Sequence, residues 1–147
     1  MYEFVNVNPC KKRLGDCVVR AISLALNQSW YRTAIDLCIE GLIQCDMQDS
    51  NSVWRAYLQS KGFKKYPILD TLTFEEFTTT HSKGLYVVGT GSHVAAVRDG
   101  VILDNDARDS SRSSSFFACS SDIAYTLLII ALLISSGVLF FICLPKR

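Results

Sequence analysis

From Ile123 to Leu144 the chain reads IAYTLLIIALLISSGVLFFICL, 22 residues without a charge, flanked by Asp122 before and Lys146 and Arg147 after. As a helix such a run covers roughly 33 Å, against a hydrocarbon core of about 30 Å. Core helices are usually shorter and keep a polar face, and Ser135, Ser136 and Gly137 are tolerable inside a bilayer, so the pattern predicts a transmembrane helix over 123–144. A short basic tail, 145–147, follows it. The N-terminal MYEFVNVNPCKKRLGDC holds no apolar run long enough for a signal-peptide core. The expected topology is that of a tail-anchored, single-pass protein in contact with a lipid bilayer, its soluble domain on the cytosolic side.

Residues 110–122, SSRSSSFFACSSD, are rich in serine and show no apolar period, which reads as a flexible spacer. What precedes, 1–109, is enough for one compact domain with a single core. A net charge of +1 from scattered Lys and Arg leaves no electrostatic footprint for nucleic acid. There are six cysteines; without a secretion signal they read as free thiols and not a disulfide framework. Cys10 and Cys17, like Cys38 and Cys45, are seven apart, wider than a zinc knuckle, so neither a metal site nor a cofactor is expected.

The first half of the domain carries helical periods. Val18, Ala21, Ile22, Ala25 and Leu26 form one apolar face, with Asp16 as N-cap and Asn27 closing the pattern. Further helices are predicted from Trp30 to Leu42, from Ser52 to Ser60, and from Thr73, where Glu76 completes a capping box. The period then changes. Leu85–Val88, His93–Arg98 and Val101–Leu103 are short apolar runs, the last two joined by Asp99-Gly100, a strong type I′ hairpin signal. Helices first and strands after give an α+β domain, N-terminal helices packed on a small antiparallel sheet, with the Ile22 face docked on the hairpin.

The same hairpin places candidate chemistry. A two-residue loop sets Arg98 opposite Val101, Ala95 opposite Asp104 and His93 opposite Asp106, and alternation puts His93, Ala95, Val97, Ile102, Asp104 and Asp106 on one face. Asp104, within the strand, is the first choice to accept the His93 imidazole N–H, and Asp106 the alternative. Cys17 falls in the first turn of the first helix, where the helix dipole and free N–H groups favour a thiolate and can face an oxyanion. Cys10, Cys38 and Cys45 sit at no marked helix start and read as packing residues. His81, at a helix end beside Ser82 and Lys83, reads as a solvated side chain.

A nucleophile at a helix N-terminus, a base, and an acceptor orienting the base are the parts of a thiol hydrolase. With these residues the sequence resembles the papain-like cysteine peptidase superfamily in its small bacterial and phage versions. GDCVVRAISLAL resembles the nucleophile helix and HVAAVRDGVILD the strand pair bearing His and Asp, within a likeness that runs from about Tyr2 to Asp109. The resemblance implies a papain-like minimal domain with Cys17 as nucleophile, His93 as general base and acid, and Asp104 as its orienter. It also implies a peptide or protein substrate and no cofactor. Lys11 does not fit the slot in which family members carry an oxyanion Gln or Asn; Asn8 and Asn6 are the nearby candidates. The function expected is a membrane-tethered cysteine peptidase-like hydrolase cleaving a peptide or related amide through a thioester, with acyl transfer as a variant. The alternative is a catalytically silent papain-like interaction domain.

Overall fold

The computed structural model describes residues 1–12, 15–67, 73–90, 92–105 and 117–120. Among them the chain forms β1 (Tyr2–Phe4), α1 (Cys17–Leu26), α2 (Trp30–Gln44), α3 (Asn51–Ser60), β2 (Lys64–Pro67), α4 (Phe74–Thr80), β3 (Leu85–Gly89), β4 (Val94–Arg98), β5 (Val101–Asp104) and β6 (Phe117–Ser120). This is an α+β domain with one sheet in the order β1-β5-β4-β3-β6-β2.

Local chemistry sets the element ends. α1 stops where Asn27 enters the left-handed region at φ 50° and its N–H bonds the Ser23 carbonyl. Ser29 then caps α2 by accepting the Arg32 N–H at 3.2 Å. For α4, Thr73 Oγ1 accepts the Glu76 N–H at 3.2 Å while Glu76 Oε2 accepts the Thr73 N–H at 2.7 Å, the expected capping box. Asp99 at φ 50° and Gly100 at φ 74° make the turn between β4 and β5, and the expected register follows: Arg98↔Val101, Val97↔Ile102 and Ala96↔Leu103.

The sheet is covered on both faces. On one, Val18, Ala21, Ile22 and Ala25 of α1 and Val53, Trp54 and Leu58 of α3 pack with Val87, Val94, Ala96 and Leu103. On the other, Phe74 and Phe77 of α4 pack with Val88, Ala95 and Val97. The docking of the Ile22 face on the hairpin is thus present, with Leu26 only partly buried. Arg98 fastens the far end of this contact by donating from Nη2 to the Leu24 carbonyl at 3.0 Å. Outside α1 and α3 lies α2, whose Leu37 points inward while Tyr31, Ile35, Ile39 and Leu42 remain exposed.

The expected architecture, helices on a small antiparallel sheet plus a C-terminal transmembrane helix, requires correction. The sheet has six strands and is mixed, because β1 runs parallel to β5 with Tyr2 beside Ile102 and Phe4 beside Asp104. No helix among the described residues is long and apolar enough to cross a membrane. The longest of them, α2, has 15 residues and carries Arg32, Asp36 and Glu40, where a span needs about 20 apolar residues. The run 123–144 and the tail 145–147 lie outside the described residues. Within the stretch read as a spacer, Phe117–Ser120 is instead strand β6, antiparallel to β3 on one side and β2 on the other. Four residues between serines carry too short a pattern to announce a strand, so the sheet reaches past the boundary set at 109.

Candidate active site

Cys17 is the first residue of α1, and Asp16 before it makes no side-chain cap to the helix. The Asp16 carboxylate turns inward. Its Oδ1 accepts from Arg20 Nη1 at 2.7 Å, and its Oδ2 accepts from Asn8 Nδ2 and from the Trp30 indole N–H, each at 2.9 Å. The first N–H groups of a helix have no intrahelical partner, and with Asp16 turned away the side chain before Cys17 does not cap them, while the Val18 N–H bonds the Cys17 sulfur.

His93 immediately precedes β4 and Asp104 ends β5. Alternation assigns both to the face covered by α4, along with Ala95, Val97 and Ile102. The structure departs from that reading: at the strand ends the two side chains meet at the rim of the sheet and engage α1. His93 Nε2 is bonded to Asp104 Oδ2, which leaves Nδ1 for the hydrogen bond between His93 and Cys17. The His93 backbone is clamped by Thr90, whose N–H donates to the His93 carbonyl at 2.7 Å and whose Oγ1 accepts the His93 N–H at 3.1 Å. Asp104 is held as firmly. Its carbonyl accepts from the Val5 N–H at 2.8 Å and from the Tyr2 hydroxyl at 2.9 Å, so the parallel strand β1 fixes the residue that orients the histidine.

Burial pushes the Cys17 thiol up, but the hydrogen bond from His93, the backbone N–H of Val94 and the imidazolium charge outweigh it and bring the thiol below its ordinary 9.0. Burial pushes His93 down, yet the hydrogen bonds to Asp104 and Cys17 and their charges raise it from 6.5 to about 10. Both shifts favour the thiolate–imidazolium form of the pair over thiol and neutral imidazole.

The sequence-predicted residues divide. Cys17, His93 and Asp104 are brought together. Asn8 is buried with its amide on Asp16 and its Oδ1 accepting the Cys10 N–H, while Asn6 Oδ1 accepts the Asn8 N–H; both brace the loop before Cys17. Asp106 lies outside the described residues. Cys10, Cys38 and Cys45 are exposed and do not pack in the core. His81 stacks on Phe77 with centroids 4.2 Å apart, on the side of the sheet away from Cys17. Among the described residues no group of three His, Cys, Asp or Glu side chains is placed to hold a metal ion.

Sequence reasoning missed Arg20 and Trp30 as partners of Asp16. Arg20 left a signal: Asp16 and Arg20 are spaced i, i+4, the spacing of a helical ion pair. Trp30 left none, since its contact depends on how α2 folds back on α1. Between the start of α1 and α2 a recess of about 270 Å³ is lined by Asp16, Val18, Trp30, Ala34, Gln48 and Asp49, among others, and not by Cys17. Comparison with protein-family models, with curated proteins and with solved structures finds no match.

Proposed function

We propose that this protein is a cysteine hydrolase of the papain-like kind, acting on a peptide or related amide bond. The observation that carries the reading is the hydrogen-bonded series Cys17–His93–Asp104 at an uncapped helix N-terminus. The Cys17 thiolate attacks the carbonyl carbon, and the carbonyl electrons move to an oxyanion facing the backbone N–H of Cys17. Collapse expels the amine, which takes the proton from His93, and leaves a thioester on Cys17. Neutral His93 then takes a proton from water as it attacks the thioester, and returns that proton to the departing sulfur. An amine in place of the water would give acyl transfer.

A second reading, a silent papain-like scaffold that binds a partner without cleaving it, is favoured by one observation. Asn8 and Asn6, the side chains nearest the family's oxyanion slot, are engaged within their own loop. The two readings separate with p-nitrophenyl acetate and the full-length protein. A burst of nitrophenolate, acetylation of Cys17 by mass spectrometry, and later turnover are expected, all lost in Cys17→Ser. Alkylation of Cys17 without acetylation or turnover would leave the silent scaffold.

A further inference from the structure

Arg20 lies one turn after Cys17 on α1 and is 5% exposed. Its Nη1 pairs with Asp16 at 2.7 Å, and its Nη2 stands 3.9 Å from Asp104 Oδ1, an ion pair too long for a hydrogen bond. Its Nε is buried without a hydrogen-bond partner. An orphaned donor and a carboxylate held beyond hydrogen-bond range are poor contributions to stability. They do place a permanent positive charge between the residue that precedes the nucleophile and the residue that orients the base.

We propose that Arg20 is a positioning residue whose charge, set between Asp16 and Asp104, holds the Asp104 carboxylate against His93 and so keeps the imidazole aimed at the Cys17 sulfur. This rests on the hydrolase reading. The charges facing one another here are the Asp16 and Asp104 carboxylates and the Cys17 sulfur against Arg20 and His93. Asp49 lines the same recess as Asp16, and neutral groups also bond the two carboxylates. Asn8 and Trp30 donate to Asp16, the Asn105 N–H donates to Asp104 Oδ1 at 2.7 Å, and from β1 the Tyr2 hydroxyl donates to the Asp104 carbonyl. With Arg20 intact three anionic groups meet two cations. Without it the two buried carboxylates repel each other with no cation between them, which draws Asp104 away from the ring. With Asp104 displaced, the imidazole loses an acceptor that favours its charged form, and the balance of the pair shifts from thiolate toward thiol.

The test is the pH profile of iodoacetamide labelling at Cys17 in the full-length protein, with folding checked by circular dichroism. Arg20→Met is expected to raise the labelling midpoint by about one unit, a loss of rate of about tenfold at pH values below the wild-type midpoint. Arg20→Lys is expected to lose about threefold, because an ammonium binds the nearer Asp16 as a point charge and serves Asp104 weakly. In a His93→Ala background Arg20→Met should change the rate less than about twofold, since the effect passes through the imidazole. Should Arg20→Met not fold, Arg20→Lys carries the comparison. An unchanged profile in either folded variant overturns the proposal, as does an Arg20→Met effect of equal size with and without His93. Failure of the hydrolase reading looks different: the wild-type profile itself would be that of an ordinary thiol, indifferent to His93→Ala.

Discussion

His93 Nε2 and Asp104 Oδ2 are bonded across the open end of the β4–β5 hairpin, eleven residues apart and diagonal in its register. A diagonal partner lets the carboxylate approach the ring from the strand end, where Tyr2 and Val5 hold its backbone. Asp104→Asn keeps the shape and removes the charge. His93 then loses most of what raises it, and alkylation of Cys17 near pH 7 is expected to slow about tenfold or more. A rate within twofold of wild type would show that Asp104 does not act on the pair.

Cys17 labelling in the wild-type protein is expected to have a midpoint below 9.0, since the attraction of His93 outweighs burial. His93→Ala removes the attraction and leaves the burial, so the midpoint should move to or above 9.0. Rates of iodoacetamide modification across pH 5 to 10 measure both, and coincident profiles would mean that the two side chains do not interact in solution.

The same pair fixes the shape of stability against pH. His93 holds its proton more tightly folded than unfolded, so its contribution is full below 6.5 and lost as pH rises through about 10. Cys17 is depressed in the fold, so its contribution is full above 9.0 and lost as pH falls through its lowered folded value. Above the lowered folded value of Cys17 and above 6.5, and up to 9.0, the two changes oppose each other, because folding there only moves one proton from sulfur to imidazole. Urea midpoints are expected to be nearly level across that window and to fall on either side. In Cys17→Ser the window should become a decline with rising pH; a level profile in that variant would contradict the pairing.

Ile22 is fully buried between α1 and the sheet. Ile22→Ala is expected to cost about 2 to 5 kcal/mol, measured by urea unfolding. Because α1 also carries Cys17, His93-dependent labelling should weaken in the same variant. Unchanged stability together with unchanged labelling would remove the coupling of packing to site.

Gly100 gives the opposite pattern. It sits at φ 74°, and a side chain there would meet the Ser82 Cα and the Thr78 carbonyl oxygen, both at 3.3 Å. Gly100→Val is expected to destabilise by about 1 to 3 kcal/mol. The turn is at the far end of the hairpin from His93, so the labelling profile of the folded fraction should not change. A shifted profile would mean that strain travels the length of β4.

Much of the site was legible because its parts are local. The Asp16 helix start, the Asp99-Gly100 turn and the register it imposes are matters of a few adjacent residues, and they suffice to bring His93 and Asp104 within reach. The facing of those two side chains was not legible, since alternation governs strand interiors and both lie at strand ends. The engagement of Asn8, Arg20 and Trp30 with Asp16 depends on tertiary placement, as does the parallel pairing of β1 with β5 across the whole domain. Cys10, Cys38 and Cys45 were misread because a free thiol's usual burial says nothing of one that falls on a loop or an outer helix face.

The interior place of β6 has a consequence for the order in which the molecule can be built. β2 has β6 as its neighbour in the sheet, and β6 is the last of the described strands to leave a ribosome. The β4–β5 hairpin and its contact with α1 need nothing from β6, whereas β2, translated earlier, must wait beside α3 with its ladder unpaired. Vectorial synthesis would thus assemble Cys17, His93 and Asp104 on a nascent sheet still open along one edge of β3, and its closure is a late, long-range event of the slow kind.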